Sequence, residues 1–197
     1  MSFRKIPYSH TSDKALKLDQ MYMNLAKNMS NLSTCARMQV GAMLIVEGRP
    51  ILSGYNGSPK GHEHCIDIYK QKFEDYKNSW EEAKNITFEE YMQLPAIREE
   101  HGKFSRLHEV HAEINIISEA AARGLAVKGG RLYITHSPCN DCCKSILTAK
   151  IAEVVFENLY DRETEGIEIL LKSGIKIYQV EMENERIIKS YEFQYQG

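Results

Sequence analysis

Two short stretches of the sequence supply side chains that can hold a metal ion and move a proton. They are His111-Ala112-Glu113 and Ser137-Pro138-Cys139-Asn140-Asp141-Cys142. One imidazole and two thiolates occupy three positions of a tetrahedral zinc ion and leave the fourth open, which is typical of catalytic zinc sites. Glu113 is then a free carboxylate that can take a proton from water and return it to a substrate. The two stretches therefore predict a zinc-dependent hydrolytic reaction.

The spacing of these residues indicates where they must lie in their helices. Residues two apart on a helix point to nearly opposite sides, so His111 and Glu113 reach one metal only if His111 lies at the helix start. Cys139 and Cys142 are three apart and share one face, and Pro138 suits the entry to a first helical turn. We therefore expect two helix N-termini to meet at the metal, where their positive ends stabilise thiolates.

A closed, purely structural zinc site is the alternative to an open one. His136 or Cys143 would then complete the tetrahedron. Cys143 directly follows Cys142 and would point about 100° away around the helix, which favours the open site.

The remaining pattern alternates helices and strands. Ser12 is a candidate N-cap for a first helix that runs to about Leu32. Thr87 and Glu90 have capping-box spacing. Apolar runs at 40–46 and 51–55 read as a hairpin. After it we predict helices at 111–123, 139–149 and 165–172 and strands at 132–135, 154–157 and 176–180, hence a sheet with parallel pairs that is covered on both faces.

Composition excludes several classes of protein. The 197 residues, 43% apolar and 26% charged, suit one globular domain. A net charge of −2 disfavours binding of long nucleic acid, which usually requires a basic surplus. No segment resembles a signal peptide or a membrane span, so we expect an intracellular protein without membrane contacts. In that reducing environment the five cysteines are more suited to metal binding or burial than to disulfides.

The motifs resemble the cytidine and deoxycytidylate (dCMP) deaminase superfamily. Val40-Gly41-Ala42, Gly54-Tyr55-Asn56-Gly57-Ser58-Pro59 and Glu113-Ile114-Asn115 make the chain similar to the bacteriophage-type dCMP deaminases. The resemblance implies an α/β fold, a three-layer α/β/α sandwich around a five-stranded mixed sheet. It implies one domain over 1–197, with an insertion at about 58–110 and a short C-terminal tail at 182–197.

The same resemblance implies an activity. Members hydrolyse the 4-amino group of dCMP to give dUMP and ammonia, which supplies dUMP for dTMP synthesis. The implied location is the cytoplasm, or the host cytoplasm for a phage-encoded enzyme.

The resemblance also implies a second, structural zinc site. From residue types alone, we would expect Cys35 and Cys65 to be buried thiols and His101 and Glu109 to be solvated side chains. In phage-type relatives a second zinc has its ligands at these four positions, a reasonable set for a closed site. His62, His64 or His108 could replace one of them, because spacing does not choose among neighbouring histidines.

Nucleotide contacts are likewise implied by the resemblance. Arg37 corresponds to a phosphate-contacting segment, with Lys60 and Arg123 as rival cations. The loop at 56–60 corresponds to the site where relatives bind the activator dCTP, with Mg²⁺ as a candidate companion ion, and the inhibitor dTTP. Relatives are hexamers. The implied substrate contacts are Asn56, Ala112, Asn115, Ser137, Tyr160 and Arg37, and the implied effector contacts are Asn56, Gly57, Ser58, Pro59 and Lys60.

Two other functions compete with a nucleotide deaminase. A base or tRNA deaminase shares the zinc motif, but such relatives lack the residues inserted here between 58 and 110, and their grooves need basic charge. A noncatalytic zinc-binding module has no use for Glu113.

Overall fold

A mixed sheet of seven strands organises the computed structural model, which describes residues 3–160 and 163–196. The strand order is β1-β7-β6-β5-β4-β2-β3. The pairs β4–β5 and β5–β6 are parallel, and β2 pairs antiparallel with both β3 and β4. The strands are β1 (Phe3–Pro7), β2 (Gly41–Val46), β3 (Arg49–Tyr55), β4 (Arg131–His136), β5 (Glu153–Asn158), β6 (Lys176–Glu183) and β7 (Arg186–Tyr195).

Seven α-helices and one 3-10 helix accompany these strands in the described residues. They are α1 (Asp13–Ser30), α2 (Cys65–Ser79), the 3-10 helix (Glu81–Asn85), α3 (Phe88–Tyr91), α4 (Pro95–His108), α5 (Ala112–Arg123), α6 (Asn140–Thr148) and α7 (Glu165–Lys172).

Helices cover both faces of the sheet. Leu44 and Ile134 face a core built with α5, α6 and α7. Their neighbours Met43 and Tyr133 face a core built with α1. Successive strand residues point to opposite faces, and both sets are buried. The predicted three-layer α/β/α arrangement with parallel pairs is confirmed.

Local sequence signals placed most of these elements correctly. Ser12 caps α1 by accepting a hydrogen bond from the Ala15 amide at 3.2 Å. Thr87 and Glu90 form the predicted capping box of α3. The hairpin of β2 and β3 turns at Glu47 and Gly48, which both have positive φ. The predicted ends of the later helices and strands agree with the structure to within two residues, except that β6 continues past 180 to Glu183.

The predicted number of five strands is wrong. β7 follows β6 through a tight turn at Asn184 and Glu185, both at positive φ, and β1 pairs with the far side of β7. Residues 182–196, predicted to be a tail, thus continue β6 and form β7, while Gly197 lies outside the described residues. β7 buries only Phe193 deeply, so its sequence lacks the apolar alternation of a core strand.

The segment between β3 and α5 builds a separate aromatic cluster. Tyr69 and Phe73 from α2 pack with Tyr91, which ends α3. α4 adds Phe104, whose ring centroid lies 5.8 Å from that of Tyr69. This packing fixes α4 beside the strand ends that carry the site described below.

Gly41 allows α1 to approach β2 closely. A Cβ atom at this position would lie 2.0 Å from the Ala26 carbonyl oxygen and 2.4 Å from the Ser30 amide nitrogen. Only glycine therefore fits where the end of α1 crosses the first core strand.

Among the helices of the described residues, none combines the length and the apolar character needed to cross a membrane.

Candidate metal centre and substrate pocket

Two helix N-termini bring together the three predicted zinc ligands. His111 is the N-cap of α5 and Cys139 is the N-cap of α6, both with extended backbone. The His111 Nδ1 atom lies 3.4 Å from the Cys139 Sγ atom and 3.3 Å from the Cys142 Sγ atom. We call these residues the three-ligand cluster; their ligand atoms all lie within 4.8 Å of one another. That spacing suits tetrahedral coordination of one ion.

Neither alternative fourth ligand joins the three-ligand cluster. The Cys143 thiol is buried and donates to the Pro138 carbonyl oxygen at 3.7 Å. The His136 Nδ1 atom lies 3.3 Å from the Thr135 hydroxyl oxygen. Within the described residues, the cluster thus offers three ligands and an open fourth position.

The electrostatics of the three-ligand cluster favour a cation. Hydrogen bonds from Cys142 and His111 lower the pKa of the Cys139 thiol to about 4. The hydrogen bond to Cys139 is also the main reason why the pKa of His111 rises to about 9. A zinc ion would replace the shared protons of this arrangement and deprotonate the coordinating thiols.

Glu113 lies beside this cluster in the first turn of α5. Its side chain is 4% exposed, yet it lines the same pocket as His111 and Cys139. Burial raises the pKa of its carboxyl group. A carboxyl group whose pKa lies above its usual value can both accept and donate a proton near neutral pH.

A pocket of about 560 Å³ opens in front of the cluster, at the carboxyl ends of β4 and β5. Its volume suits a small molecule such as a mononucleotide. Of the residues predicted to contact substrate, those that line it are Arg37, Asn56, Ala112, Ser137 and Tyr160.

Hydrogen bonds fix two parts of the pocket wall. The Ser137 hydroxyl oxygen accepts from the Tyr160 amide at 2.8 Å. The side-chain Oδ1 atom of Asn56 accepts hydrogen bonds from the Ser33 hydroxyl group at 2.7 Å and from the Val40 backbone amide at 2.8 Å. Its side-chain Nδ2 atom donates to the Met38 backbone carbonyl at 2.8 Å. Asn56 therefore shapes the segment at 33–40 and keeps one amide proton for other contacts.

The other predicted nucleotide contacts lie outside this pocket. The Asn115 amide nitrogen donates to the Tyr55 carbonyl oxygen at 2.6 Å, and Asn115 does not line the cavity. Gly57, Ser58, Pro59 and Lys60 form a loop beside it rather than its wall.

A second group of four side chains gathers Cys35, Cys65, His101 and Glu109. We call it the four-ligand cluster; its ligand atoms also lie within 4.8 Å of one another. The His101 Nε2 atom lies 3.5 Å from the Cys35 Sγ atom and 3.4 Å from the Cys65 Sγ atom. A hydrogen bond from Cys65 lowers the pKa of the Cys35 thiol to about 3.

The surroundings of the Glu109 carboxylate indicate whether a cation fits the four-ligand cluster. Both of its carboxylate oxygens are buried without a hydrogen-bond partner in the described residues. Burial, assisted by Cys35, raises the pKa of this carboxyl group. Two thiols, one imidazole and an unpartnered carboxylate form a complete tetrahedral donor set for zinc. Three neighbouring histidines, His62, His64 and His108, are exposed and lie outside this set.

A short backbone bridge joins the two clusters to the loop at 56–60. The Gly57 amide donates to the Val110 carbonyl at 3.1 Å, and the Val110 amide donates to the Gly57 carbonyl at 2.9 Å. Val110 lies between Glu109 and His111, one residue from each cluster. The loop therefore contacts the short segment between α4 and α5 that carries candidate ligands of both clusters.

Sequence reasoning missed two arginines of the pocket. Arg98 and Arg106 lie on α4 and line the cavity together with Gly102 and Ser105. The available signal was their spacing around His101, since positions eight apart return to a similar side of a helix. Charged residues on an amphipathic helix are usually solvated, so this signal was weak.

Comparisons with known proteins agree with this site. A model of the cytidine and deoxycytidylate deaminase zinc-binding region matches residues 16–158. The deoxycytidylate deaminase of Enterobacteria phage T4 is 32% identical over 82% of this chain and 89% of that protein. ComE operon protein 2 of Bacillus subtilis (strain 168) is 30% identical over 84% of this chain and 72% of that protein.

A solved structure shows the same relationship. The crystal structure of the dCMP deaminase from cyanophage S-TIM5 in complex with dCMP and dUMP has 28% sequence identity and a TM-score of 0.60. The match covers 86% of this chain and 99% of that one. From its motifs, its fold and these matches, the chain belongs to the cytidine and deoxycytidylate deaminase family.

Proposed function

We propose that the protein deaminates dCMP hydrolytically to dUMP and ammonia. One observation carries this proposal: a three-ligand zinc cluster with an open position, next to the buried carboxyl group of Glu113, at the base of a nucleotide-sized pocket. Relatives named deoxycytidylate deaminase and a structural neighbour that binds dCMP and dUMP support the choice of substrate.

The residues divide the chemistry between them. His111, Cys139 and Cys142 would hold a zinc ion, which would supply Lewis acidity and lower the pKa of water. The water oxygen forms a bond to C4 of cytosine while Glu113 takes one of its protons and delivers it to N3. Glu113 then carries a second proton to the amino group, the C4–N bond breaks, and ammonia leaves. Water is the only co-reactant required.

A comparison of four substrates tests this proposal directly. Ammonia release should be fastest, as kcat/KM, with dCMP, and slower with dCTP, deoxycytidine and a cytosine-containing oligonucleotide. A preference for the oligonucleotide would indicate a nucleic-acid deaminase. No release from any of the four would indicate a noncatalytic zinc-binding module.

We also propose that the four-ligand cluster holds a structural zinc ion. The support is the unpartnered, buried Glu109 carboxylate and the closed set of two thiols and one imidazole. Such an ion would join three parts of the chain. They are the segment at 33–40, the start of α2, and α4 with its C-cap Glu109.

Regulation by nucleotides is a further part of the proposal. We expect dCTP, with Mg²⁺, to activate and dTTP to inhibit, both at the loop formed by 56–60. The paired hydrogen bonds between Gly57 and Val110 support this, since they connect that loop to ligands of both clusters. We propose a cytoplasmic hexamer, with exposed Met21, Leu25 and Leu32 along α1 and just after it as candidate subunit contacts.

Measurements of the initial rate test the effector site, and a measurement of molecular mass tests the hexamer. At subsaturating dCMP, dCTP with Mg²⁺ should raise the initial rate and dTTP should lower it, while light scattering gives the mass of six chains. Rates insensitive to both nucleotides would contradict the effector site, and a smaller mass would contradict the hexamer.

A further inference from the structure

The helices α6 and α7 begin next to each other beside the substrate pocket, and neither is capped by its own N-cap residue. Cys139 is the N-cap of α6 and Thr164 is the N-cap of α7, and neither side chain forms a capping hydrogen bond. The Cys139 sulfur belongs to the three-ligand cluster instead. The amides in the first turn of each helix therefore need acceptors from elsewhere in the chain.

The start of each helix receives the acceptor that it lacks from the other. The Asn140 amide, the first of α6, donates to the carboxylate of Glu163, the residue before Thr164, at 3.2 Å. The Gly166 amide, in the first turn of α7, donates to the Asn140 Oδ1 atom at 2.7 Å. The Asn140 Nδ2 atom donates to the Glu165 carboxylate at 3.2 Å, which fixes the orientation of the Asn140 amide group. We call this reciprocal capping through Asn140 and Glu163 the cross-cap.

A glycine allows the two helices to approach closely enough for the cross-cap. A Cβ atom on Gly166 would lie 2.7 Å from the Cys143 Sγ atom and 3.0 Å from the Asn140 Cα atom. The Cys143 side chain is buried and bonded to the Pro138 carbonyl, so it has little room to move. Glycine at 166 therefore permits the amide of α7 to reach the Asn140 side chain.

The cross-cap borders the wall of the substrate pocket that follows β5. Tyr160 and Glu163 line this pocket, whereas Asn140 does not. The Tyr160 amide donates to the Ser137 hydroxyl oxygen at 2.8 Å. Two points of the wall are thus bonded to the short stretch 137–140, which also carries the ligand Cys139. Asn140 can therefore fix the wall without contacting the substrate.

We propose that Asn140 is a positioning residue, which holds Glu163 and the adjoining pocket wall in place for the substrate through the cross-cap. This inference rests on the proposed function, and it assigns to Asn140 an effect on substrate affinity rather than on the chemical step. His111 and Glu113 belong to the start of α5, which takes no part in the cross-cap, so the proton relay keeps its geometry when Asn140 is changed.

Removal of the Asn140 side chain tests this role. Asn140→Ala should raise KM for dCMP about 3-fold to 30-fold, the range expected for loss of a helix cap, and change kcat less than about two-fold. Zinc content should stay at the wild-type level. Asn24→Ala is the matched control, because the Asn24 side chain also joins two elements, through the Glu185 carbonyl at 2.9 Å, but lies outside this pocket. An unchanged KM, a fall in kcat larger than the rise in KM, loss of zinc, or the same effect in the control would overturn the proposal.

A compensated pair of substitutions distinguishes positioning from a general loss of stability. Asn140→Asp keeps an acceptor for the Gly166 amide but places a second carboxylate beside Glu165, so KM should rise. Adding Glu165→Gln returns a hydrogen-bond donor to this contact and removes the repulsion, so KM should fall most of the way back. A double variant whose KM matches that of Asn140→Asp alone would contradict the cross-cap.

Two measurements without turnover separate this inference from the proposed reaction. Hydrogen–deuterium exchange at the Gly166 amide should be about 3-fold to 30-fold faster in Asn140→Ala than in the wild type. Calorimetry should show weaker binding of dUMP to the same variant. If both changes occur in a protein that releases no ammonia from dCMP, the positioning role is supported and only the proposed function is refuted. Exchange at Gly166 that matches the wild type would refute the cross-cap itself.

Discussion

Replacing Glu113 with glutamine should leave zinc bound and lower kcat for dCMP at least about 100-fold. The amide has nearly the same shape as the carboxyl group, so the pocket and the three-ligand cluster should persist. It cannot accept a proton from water or deliver one to N3 and the leaving amine. Steady-state ammonia release, with zinc content measured by mass spectrometry, provides the test.

A second glutamate on the same helix supplies the control for this prediction. Glu119 is exposed and pairs with Arg123, so Glu119→Gln should keep nearly full activity and zinc content. A Glu113→Gln variant that retains more than about one per cent of the wild-type rate would refute the assignment of Glu113 as the proton carrier. Loss of zinc in that variant would instead show that Glu113 supports the metal site.

Replacing Cys65 with serine should reduce the zinc content from two ions per chain to one and destabilise the fold by about 3–5 kcal/mol. The physical reason is the Glu109 carboxylate, which is buried without a hydrogen-bond partner and depends on a cation for compensation. Mass spectrometry of metals and denaturant unfolding measure the two effects. Fully loaded wild-type protein with a single zinc would refute the second site.

Two further variants isolate the cause of this effect. Cys143→Ser is the matched control, because Cys143 is buried but belongs to neither cluster and donates to Pro138, a bond that a hydroxyl can keep. It should retain two zinc ions. Glu109→Gln should weaken zinc binding yet stabilise the metal-free protein, since it removes an uncompensated acid. A metal-free Glu109→Gln variant that is less stable than the metal-free wild type would contradict this explanation.

The grouping of the three-ligand cluster could be predicted from sequence because coordination chemistry constrains both residue type and spacing. Only a helix start allows His111 and Glu113 to face one ion, and the structure indeed makes His111 an N-cap. The four-ligand cluster was different. Cys35, Cys65 and His101 are far apart in the chain, so only resemblance to relatives suggested their association.

The two pocket arginines of α4 were not predicted, for a related reason. Arg98 and Arg106 are ordinary residues for an amphipathic helix, and their place in the pocket depends on how α4 packs against the rest of the molecule. Asn115 shows the converse. It lies beside the strongest motif, but its amide is engaged by the Tyr55 carbonyl and does not reach the pocket.

The central part of the fold followed from local patterns, whereas its edge did not. Buried strands such as β4 and β5 are continuous apolar runs, which are easily recognised. β7 buries mainly Phe193, and its turn at Asn184 and Glu185 adopts positive φ without a glycine. Its pairing with β6 and β1 depends on tertiary context that a single sequence does not reveal.

The pairing of β1 with β7 also constrains the order of assembly during synthesis. Phe3 is the register partner of Tyr195, so β1 cannot pair until β7, which is made much later, has been synthesised. At about 5–20 residues per second, this delay is on the order of ten seconds or more. For most of that time β6 and β7 have not yet been made, so the open edge of the growing sheet is first β4 and then β5. Co-translational folding should therefore proceed from the centre of the sheet outwards, and β1 should be among the last strands to dock.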